Sequence, residues 1–452
     1  MLQNQEQEVQ EDVTVARILF VLITFLSFTV NAGEKIQHWV TDNGVRVYFY
    51  PAPELPMMDM RIVFDAGAAR DGEKKGVALM TNGMLAEGAG EWDSGQIAAR
   101  FDGVGAAFSN SSHRDMSVLS LRSLTDEKLL NTAVETFKVV LTQPTFPTDA
   151  FDRERKRLLI GLERQKQSPD AVGDKAFYQA LYGDHPYASE AAGEIETVEV
   201  MTVADLKAFY EQYFVAKNAV VALVGALDRD QAEKLVNSVT GDLTSGSVVG
   251  AIPEVNPLTK GDKINIAFPS SQSHISVGQP GIKRGDPDYF PLYVGNHIFG
   301  GSGLVSKLSD EIREKRGLAY SSYSYFIPMR QNGPFILGLQ TKNESAEEAL
   351  TVLNDALKNF VENGPSEKEL TAAKKNLVGG FALRIASNKS MVENLASIGF
   401  YDQPLDYLET FISKVESVTL DQVKDAFQRR IQPDKLVTVV VGDTSQAQAK
   451  TE

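Results

Sequence analysis

The sequence predicts an α+β protein made of two homologous α/β sandwich domains of roughly 200 residues each. Three observations predict it: a gapless internal repeat, the same order of strands and helix in each half, and a Pro/Gly/Ser-rich stretch between the halves. The repeat pairs residues 198–225 (VEVMTVADLKAFYEQYFVAKNAVVALVG) with residues 415–442 (VESVTLDQVKDAFQRRIQPDKLVTVVVG) at an offset of 217 positions. Thr202 and Thr419 are expected helix N-caps. Helical spacing of apolar residues follows each: Val203, Leu206, Phe209 and Tyr210 in one copy, Leu420, Val423, Ala426 and Phe427 in the other. Each copy closes on an unbroken apolar run, 219–224 or 436–441, of the kind buried on both faces of a sheet.

Upstream, residues 45–50 and 58–64 read as strands and 76–85 as a helix. In the second half, 263–268 and 274–279 read as strands and 289–299 as a helix. Runs of strands before runs of helices favour a sandwich over strict βαβ alternation. Residues 244–261 form the expected linker, since 244–257 are rich in Ser, Gly, Val and Pro without helical period. The expected divisions are therefore 1–32, 33–243, 244–261 and 262–445.

The chain has 452 residues, of which 43% are hydrophobic, ample for large cores. The formal charge of −15 comes without a clustered basic stripe, which argues against a nucleic-acid partner. The absence of cysteine removes disulfides, thiolate metal sites and cysteine nucleophiles together. Residues 18–30 (ILFVLITFLSFTV) carry no charge. They are shorter than the roughly 20 residues a membrane-spanning helix needs and match a signal-peptide core. Val30-Asn31-Ala32 offers a cleavage site, so residues 1–32 read as a signal peptide that leaves no membrane span, and the expected compartment is the periplasm.

Residues 76–89 read GVALMTNGMLAEGA. With Gly76, Ala78, Met84, Leu85 and Gly88 as the frame, this resembles the G-x-A-H-x-x-E-H-x-L-x-x-G helix of the inverzincin peptidases, the family of pitrilysin, insulinase and mitochondrial processing peptidase. On that frame the two histidines become Leu79 and Gly83, and the glutamate becomes Asn82. The family's histidines stand at i and i+4 on one helix face so that both reach one zinc, and the glutamate serves as general base. Leu79 has no lone pair, Gly83 has no side chain, and Asn82 is not a base. A catalytic zinc ordinarily needs three protein ligands. Residues 156–163 (KRLLIGLE) resemble the segment that carries the family's distal glutamate, which would fall on Glu163, with Lys156 in place of an earlier acid. Glu163 alone is a poor zinc ligand, and a solvated helix carboxylate explains it as well. The five histidines, at 38, 113, 185, 274 and 297, give no short metal motif. No metal is expected on this chain.

Residues 300–325 read GGSGLVSKLSDEIREKRGLAYSSYSY. They resemble the family's segment G-G-x-x-S-R-L-x-x-x-L-R-E-K-x-G-L-A-Y, with Lys307 where the family often has Arg. The resemblance implies that Arg313 and Tyr320 contact the peptide substrate at a zinc site in the other domain or subunit. An arginine presents a rigid fork of donors, and a tyrosine hydroxyl can donate to an oxyanion. A solvated basic helix end, with Tyr320 packed beside Tyr323 and Tyr325, is the structural alternative. The loop at 300–303 lacks the G-K-[ST] ending of a phosphate loop.

The resemblance as a whole implies a metallopeptidase-like, processing-peptidase type of sandwich. It also implies the non-zinc subunit of a bacterial heterodimeric peptidase, with zinc held by a homologous H-x-x-E-H-containing partner and extended peptides as substrates. The alternative is an inactive scaffold or peptide-binding homologue with no part in proteolysis. Residues 1–17 are acidic apart from Arg17, which suits a signal peptide badly; a start at Val13 or Val15 would leave a short, positive leader. N-terminal sequencing of the unprocessed precursor is expected to begin there, and a precursor beginning at Met1 would refute it.

Overall fold

The computed structural model describes residues 35–443. The expected signal peptide and its cleavage site lie outside the described residues. Among the described residues no helix is long and apolar enough to cross a membrane.

The first half supplies β1 (Gln37–Val40), β2 (Arg46–Pro51), β3 (Met57–Phe64), β4 (Ala107–Ser112), β5 (Ser117–Leu124) and β6 (Ala219–Gly225). They form one sheet in the order β1-β2-β6-β3-β5-β4. The second half supplies β7 (Asp262–Ala267), β8 (Gln272–Pro280), β9 (Ala319–Phe326), β10 (Pro334–Lys342) and β11 (Val437–Gly442), in the order β9-β10-β8-β11-β7. Read from β2 and from β7, the two orders are the same. In each sheet the central strand that closes the repeat pairs parallel to one neighbour (β2–β6, β7–β11) and antiparallel to the other (β3–β6, β8–β11). The helices used below are α1 (Val77–Met84), α2 (Glu127–Thr142), α3 (Thr148–Gln165), α4 (Pro169–Tyr182), α5 (Val203–Tyr213), α6 (Ala346–Asn363), α7 (Glu367–Arg384), α8 (Asn388–Phe400) and α9 (Leu420–Arg430).

Thr202 and Thr419 cap α5 and α9 through reciprocal capping boxes, with Asp205 and Gln422 at the third helical position. The apolar runs that follow are β6 and β11, buried along their whole length. Their side chains alternate between two cores, as strand geometry demands. Ala219, Val221 and Leu223 enter the core of the first half. In β11, Val440 enters the core of the second half, while Val437, Val439 and Val441 face a third cluster built around Phe177, Tyr182 and Tyr187.

That third cluster lies on the seam between the halves. Helix α4, from the first half, packs on β8 and β11 of the second sheet; α8, from the second half, packs on β2, β3 and β6 of the first. Each half therefore lends one helix to cover a sheet face of the other. Glycines make the approach close enough. A Cβ on Gly399 of α8 would meet the Tyr48 ring and Val220, and one on Gly278 of β8 would meet Phe177. Arg61 on β3 reaches Glu393 on α8 at 3.2 Å, and Arg46 pairs with Asp402.

Residues 244–261 form no helix or regular strand. They are nonetheless fastened down. Arg70 donates to the Gly250 carbonyl at 2.8 Å, Gln331 to Ile252 at 3.0 Å, and His185 bonds Pro253 at 2.8 Å. Ile252 is buried in the seam cluster. The connection is a strap across both halves.

At the centre of the seam is Asp115, buried in the turn between β4 and β5. Its carboxylate accepts from the Tyr187 hydroxyl at 2.6 Å, from the Tyr401 hydroxyl at 2.9 Å and from the Arg330 backbone N–H at 2.8 Å. Tyr187 comes from the first half, and Arg330 and Tyr401 from the second. A buried carboxylate is costly unless its lone pairs are occupied; here three donors occupy them. Asp115→Ala is expected to lower the free energy of unfolding by about 3 kcal/mol, because three donors lose their acceptor, and Tyr401→Phe by about 1 kcal/mol. Urea unfolding followed by circular dichroism measures both, and a smaller loss in Asp115→Ala than in Tyr401→Phe would refute the shared-acceptor account.

Candidate functional site

Helix α1 carries the degenerate metal motif. It follows Gly76, whose φ of +94° suits glycine. The buried Asp71 carboxylate accepts from the backbone N–H of Gly76 at 2.7 Å and of Ala78 at 2.9 Å, satisfying donors that the first helical turn leaves open. Val77, Ala78, Met80, Thr81, Asn82 and Met84 face inward. Leu79 and Gly83, four residues apart, lie on the outward face: Leu79 is half-buried and Gly83 is exposed, with nothing within 4 Å of a Cβ placed there.

Asn82 points the other way. It is buried, its amide donates to the Val118 carbonyl of β5 at 3.3 Å, and its own carbonyl accepts from Asn110 of β4 at 2.7 Å. The residue aligned with the family's general base thus ties the helix to the sheet. Glu163, near the end of α3, is exposed and paired with Lys166 at 3.1 Å. The histidines are scattered: His38 bonds Val47 and stacks on Tyr48, His113 contacts Ser111, and His274 lies 3.6 Å from Asp170. Among the described residues no group of three or more His, Cys, Asp or Glu could hold a metal ion. The residues at the motif do not fit a zinc ion, since two lack donor atoms and the third spends its amide on a backbone carbonyl.

The second half brings its two predicted residues together. A π turn at His297–Gly301 leads into a 3-10 turn at Gly303–Val305, and Ser306 caps the short helical segment that follows. A side chain at Gly300 would collide with Ser324 of β9, which accounts for the glycine. Arg313 lies on a second π turn, Asp310–Glu314, and Gly317 ends it at φ +62°. Lys315 is held by Asp310 and Glu311 at 2.8 and 2.6 Å, and Arg316 by Glu311 at 2.7 Å. Lys307 is held by Glu369 at 2.7 Å. Among the described residues Arg313 is left with only a loose contact to Glu314 at 3.7 Å, and its guanidinium lies 5.3 Å from the centre of the Tyr320 ring.

Tyr320 is the second residue of β9, an edge strand. The ladder with β10 shifts register between Ala319 and Ser322, a bulge that re-aims side chains. Tyr320 is 87% exposed. Tyr323 and Tyr325 stack on each other instead, 5.3 Å apart. The packed-tyrosine alternative therefore fails at Tyr320. An exposed tyrosine beside a lightly paired arginine can present two donors to one peptide backbone.

Residues 52–194 match the family model described as insulinase (peptidase family M16), and residues 201–377 match the one described as peptidase M16 inactive domain. A solved structure described as a peptidase M16 inactive domain, from Pseudomonas fluorescens, is 42% identical, superposes with a TM-score of 0.88, and is matched over 90% of this chain and 98% of its own. The chain belongs to peptidase family M16. Another M16-like relative, the non-peptidase homolog YmxG of Helicobacter pylori, is 24% identical over 94% of this chain and 98% of its own length. A chain of complex III2 from Candida albicans shares the fold alone, at 16% identity and a TM-score of 0.75 over 91% of this chain and 97% of its own. With Leu79, Asn82 and Gly83 at the motif, the present chain is a catalytically inactive member of the family.

The sequence did not signal Asp71, which organises α1 from five residues before Gly76. Burial pushes its carboxyl up to about 7, against the lowering effect of its two backbone donors. A folded-state value above the unfolded one of about 3.9 means that the folded state favours the neutral acid. Asp71 should therefore cost nothing below about pH 4, and stability should fall as pH rises from about 4 to 7, by on the order of 4 kcal/mol in all. Asp71→Asn should remove that dependence. Unfolding free energies of both proteins from pH 4 to 8 test this, and a wild-type minus variant difference that stays flat with pH would refute it.

Proposed function

We propose that this chain is the zinc-lacking subunit of a secreted, periplasmic M16 metallopeptidase. It closes one side of a peptide chamber and lends Arg313 and Tyr320 to a homologous partner that carries H-x-x-E-H. The observation that carries the reading is the asymmetry between the halves. The motif of the first half offers no zinc ligand, whereas the corner of the second half sets a half-buried, loosely paired Arg313 beside the exposed Tyr320.

In that role the partner's zinc would supply the nucleophilic water. This chain's part is to hold and polarise the peptide. The Arg313 fork would grip a backbone carbonyl or a carboxylate of an extended peptide. The Tyr320 hydroxyl, which meets no hydrogen-bond partner among the described residues, would donate to the oxygen that becomes negative as the carbonyl is attacked. Lys307, Lys315 and Arg316 are tied down by acids, so the donor set at this corner is narrow.

A second reading, a scaffold or peptide-holding homologue without a proteolytic role, draws on the name of the H. pylori relative, a non-peptidase homolog. Co-purification with an H-x-x-E-H partner, followed by peptidase assays of each chain and of the pair, separates the two. The pair alone is expected to be active and sensitive to chelator. Arg313→Ala and Tyr320→Ala should each lower kcat of the pair by about 10²- to 10³-fold, the usual cost of an oxyanion donor. A fully active Arg313→Ala/Tyr320→Ala pair would eliminate the shared site, and a chelator-sensitive activity of this chain alone would overturn the whole reading.

A further inference from the structure

The outward face of α3 carries a feature that the Arg–Tyr corner does not use. Asp149, Asp152, Arg153, Lys156, Arg157, Ile160 and Arg164, with Gly161, border an open groove of about 690 Å³, and of its acids Asp152 is paired with Arg155 at 3.0 Å. This face adjoins the degenerate motif, because Arg153 pairs with Glu87, one turn beyond Gly83. Arg153 also contacts Glu154 at 3.2 Å, and Arg157 contacts Glu154 at 2.9 Å. Lys156 and Arg164 differ from them: neither has a side-chain hydrogen bond or an ion pair among the described residues. Between these two free cations stands Ile160, 56% exposed, beside Gly161, where nothing lies within 4 Å of a Cβ.

Each property alone describes an ordinary solvated helix. Their combination is specific. Two unpaired cations flank an exposed branched apolar side chain at one-turn intervals, over a dent left by a glycine, in a chain with 60 acids against 45 bases. We propose that this face of α3 is a docking strip for an extended acidic peptide. The occupant has two carboxylates with an apolar residue midway between them. Eight helical residues separate Lys156 from Arg164 by roughly 12 Å, about the span of four residues of an extended chain at roughly 3.3 Å each. The carboxylates therefore stand four residues apart in the occupant, and the middle side chain covers Ile160 and fills the space over Gly161. The strip rests on the reading that this chain faces extended peptides, and it adds the class of peptide selected.

The test is fluorescence anisotropy with the full chain and labelled peptides containing Glu-Ala-Leu-Ala-Glu, Lys-Ala-Leu-Ala-Lys or Glu-Ala-Ser-Ala-Glu. The first is expected to bind. The second should show no saturable binding, and the third should bind several-fold more weakly than the first. Raising the salt from 0.05 to roughly 0.5 M should weaken the first further, because exposed charges are screened. Lys156→Glu/Arg164→Glu is expected to lower affinity for the first peptide at least tenfold, and Ile160→Ser severalfold. Both variants change exposed side chains, and thermal unfolding verifies their fold. Peptidase activity of the Arg313→Ala/Tyr320→Ala pair reports on the shared site, whereas binding of the first peptide by Lys156→Glu/Arg164→Glu reports on the strip, so a failure of one and a failure of the other are read separately. Equal affinity for the first two peptides, or unchanged binding in the charge-reversed variant, would overturn the proposal.

Discussion

Each sheet has one face that its own half does not cover, and the rest of the molecule is arranged around that deficit. A sheet buried on both faces needs two apolar covers. Here the second cover comes from the opposite half, α4 over β8 and β11, α8 over β2, β3 and β6. Neither half is then complete without the other. Removing α8 would expose Val220 and Tyr48, and removing α4 would expose Val437, Val439 and Val441. Apolar contact supplies most of the attraction but little direction. Direction comes from the polar groups along the same seam: the Asp115 carboxylate with donors from both halves, and the strap at 250–253 tied to Arg70, His185 and Gln331.

This arrangement determines what each half can offer a ligand. The seam consumes one face of each sheet, so ligand chemistry must come from helix faces and strand edges that point away from it. In the first half that leaves the outward faces of α1 and α3. Leu79 and Gly83 give that region an apolar and an empty position where the family's motif needs donors. In the second half it leaves the edge strand β9. There the bulge after Ala319 turns Tyr320 outward, and the π turn at Asp310–Glu314 brings Arg313 to it. A bulge and a π turn each disturb a regular element by one residue, and both occur commonly at functional positions because they re-aim a side chain without unfolding its neighbours.

The sequence announced the parts of this that are local. The capping threonines and the buried strands β6 and β11 each lie within one short window, so periodicity and cap chemistry suffice to find them. The equivalence of the halves followed because the offset of 217 preserves the strand order. The second-half helix expected over 289–299 was read less well: its α-helical part ends at Asn296 and passes into a π turn, a change of pitch that apolar spacing does not encode. The seam left no local mark. Asp115 and Tyr401 are 286 positions apart, and neither has a neighbouring pattern that implies the other. The same holds for the exchange of α4 and α8, since an amphipathic helix records that it has a buried face but not whose sheet it covers.

Arg313 and Tyr320 are not what holds the second half together. Residues kept for packing are buried, and residues kept for electrostatic balance are paired. Tyr320 is 87% exposed, and Arg313 has its nearest carboxylate at 3.7 Å while Lys307, Lys315 and Arg316 all have one within 2.8 Å. Asp310, Glu311 and Glu369 are therefore spent on the other three cations, and Arg313 keeps only the longer contact to Glu314 among the described residues. In α1 the balance is reversed: Asn82 is buried and bonded to the sheet, so the position has become structural. Asn82 is thus built into the scaffold, while Tyr320 stands out into solvent beside Arg313.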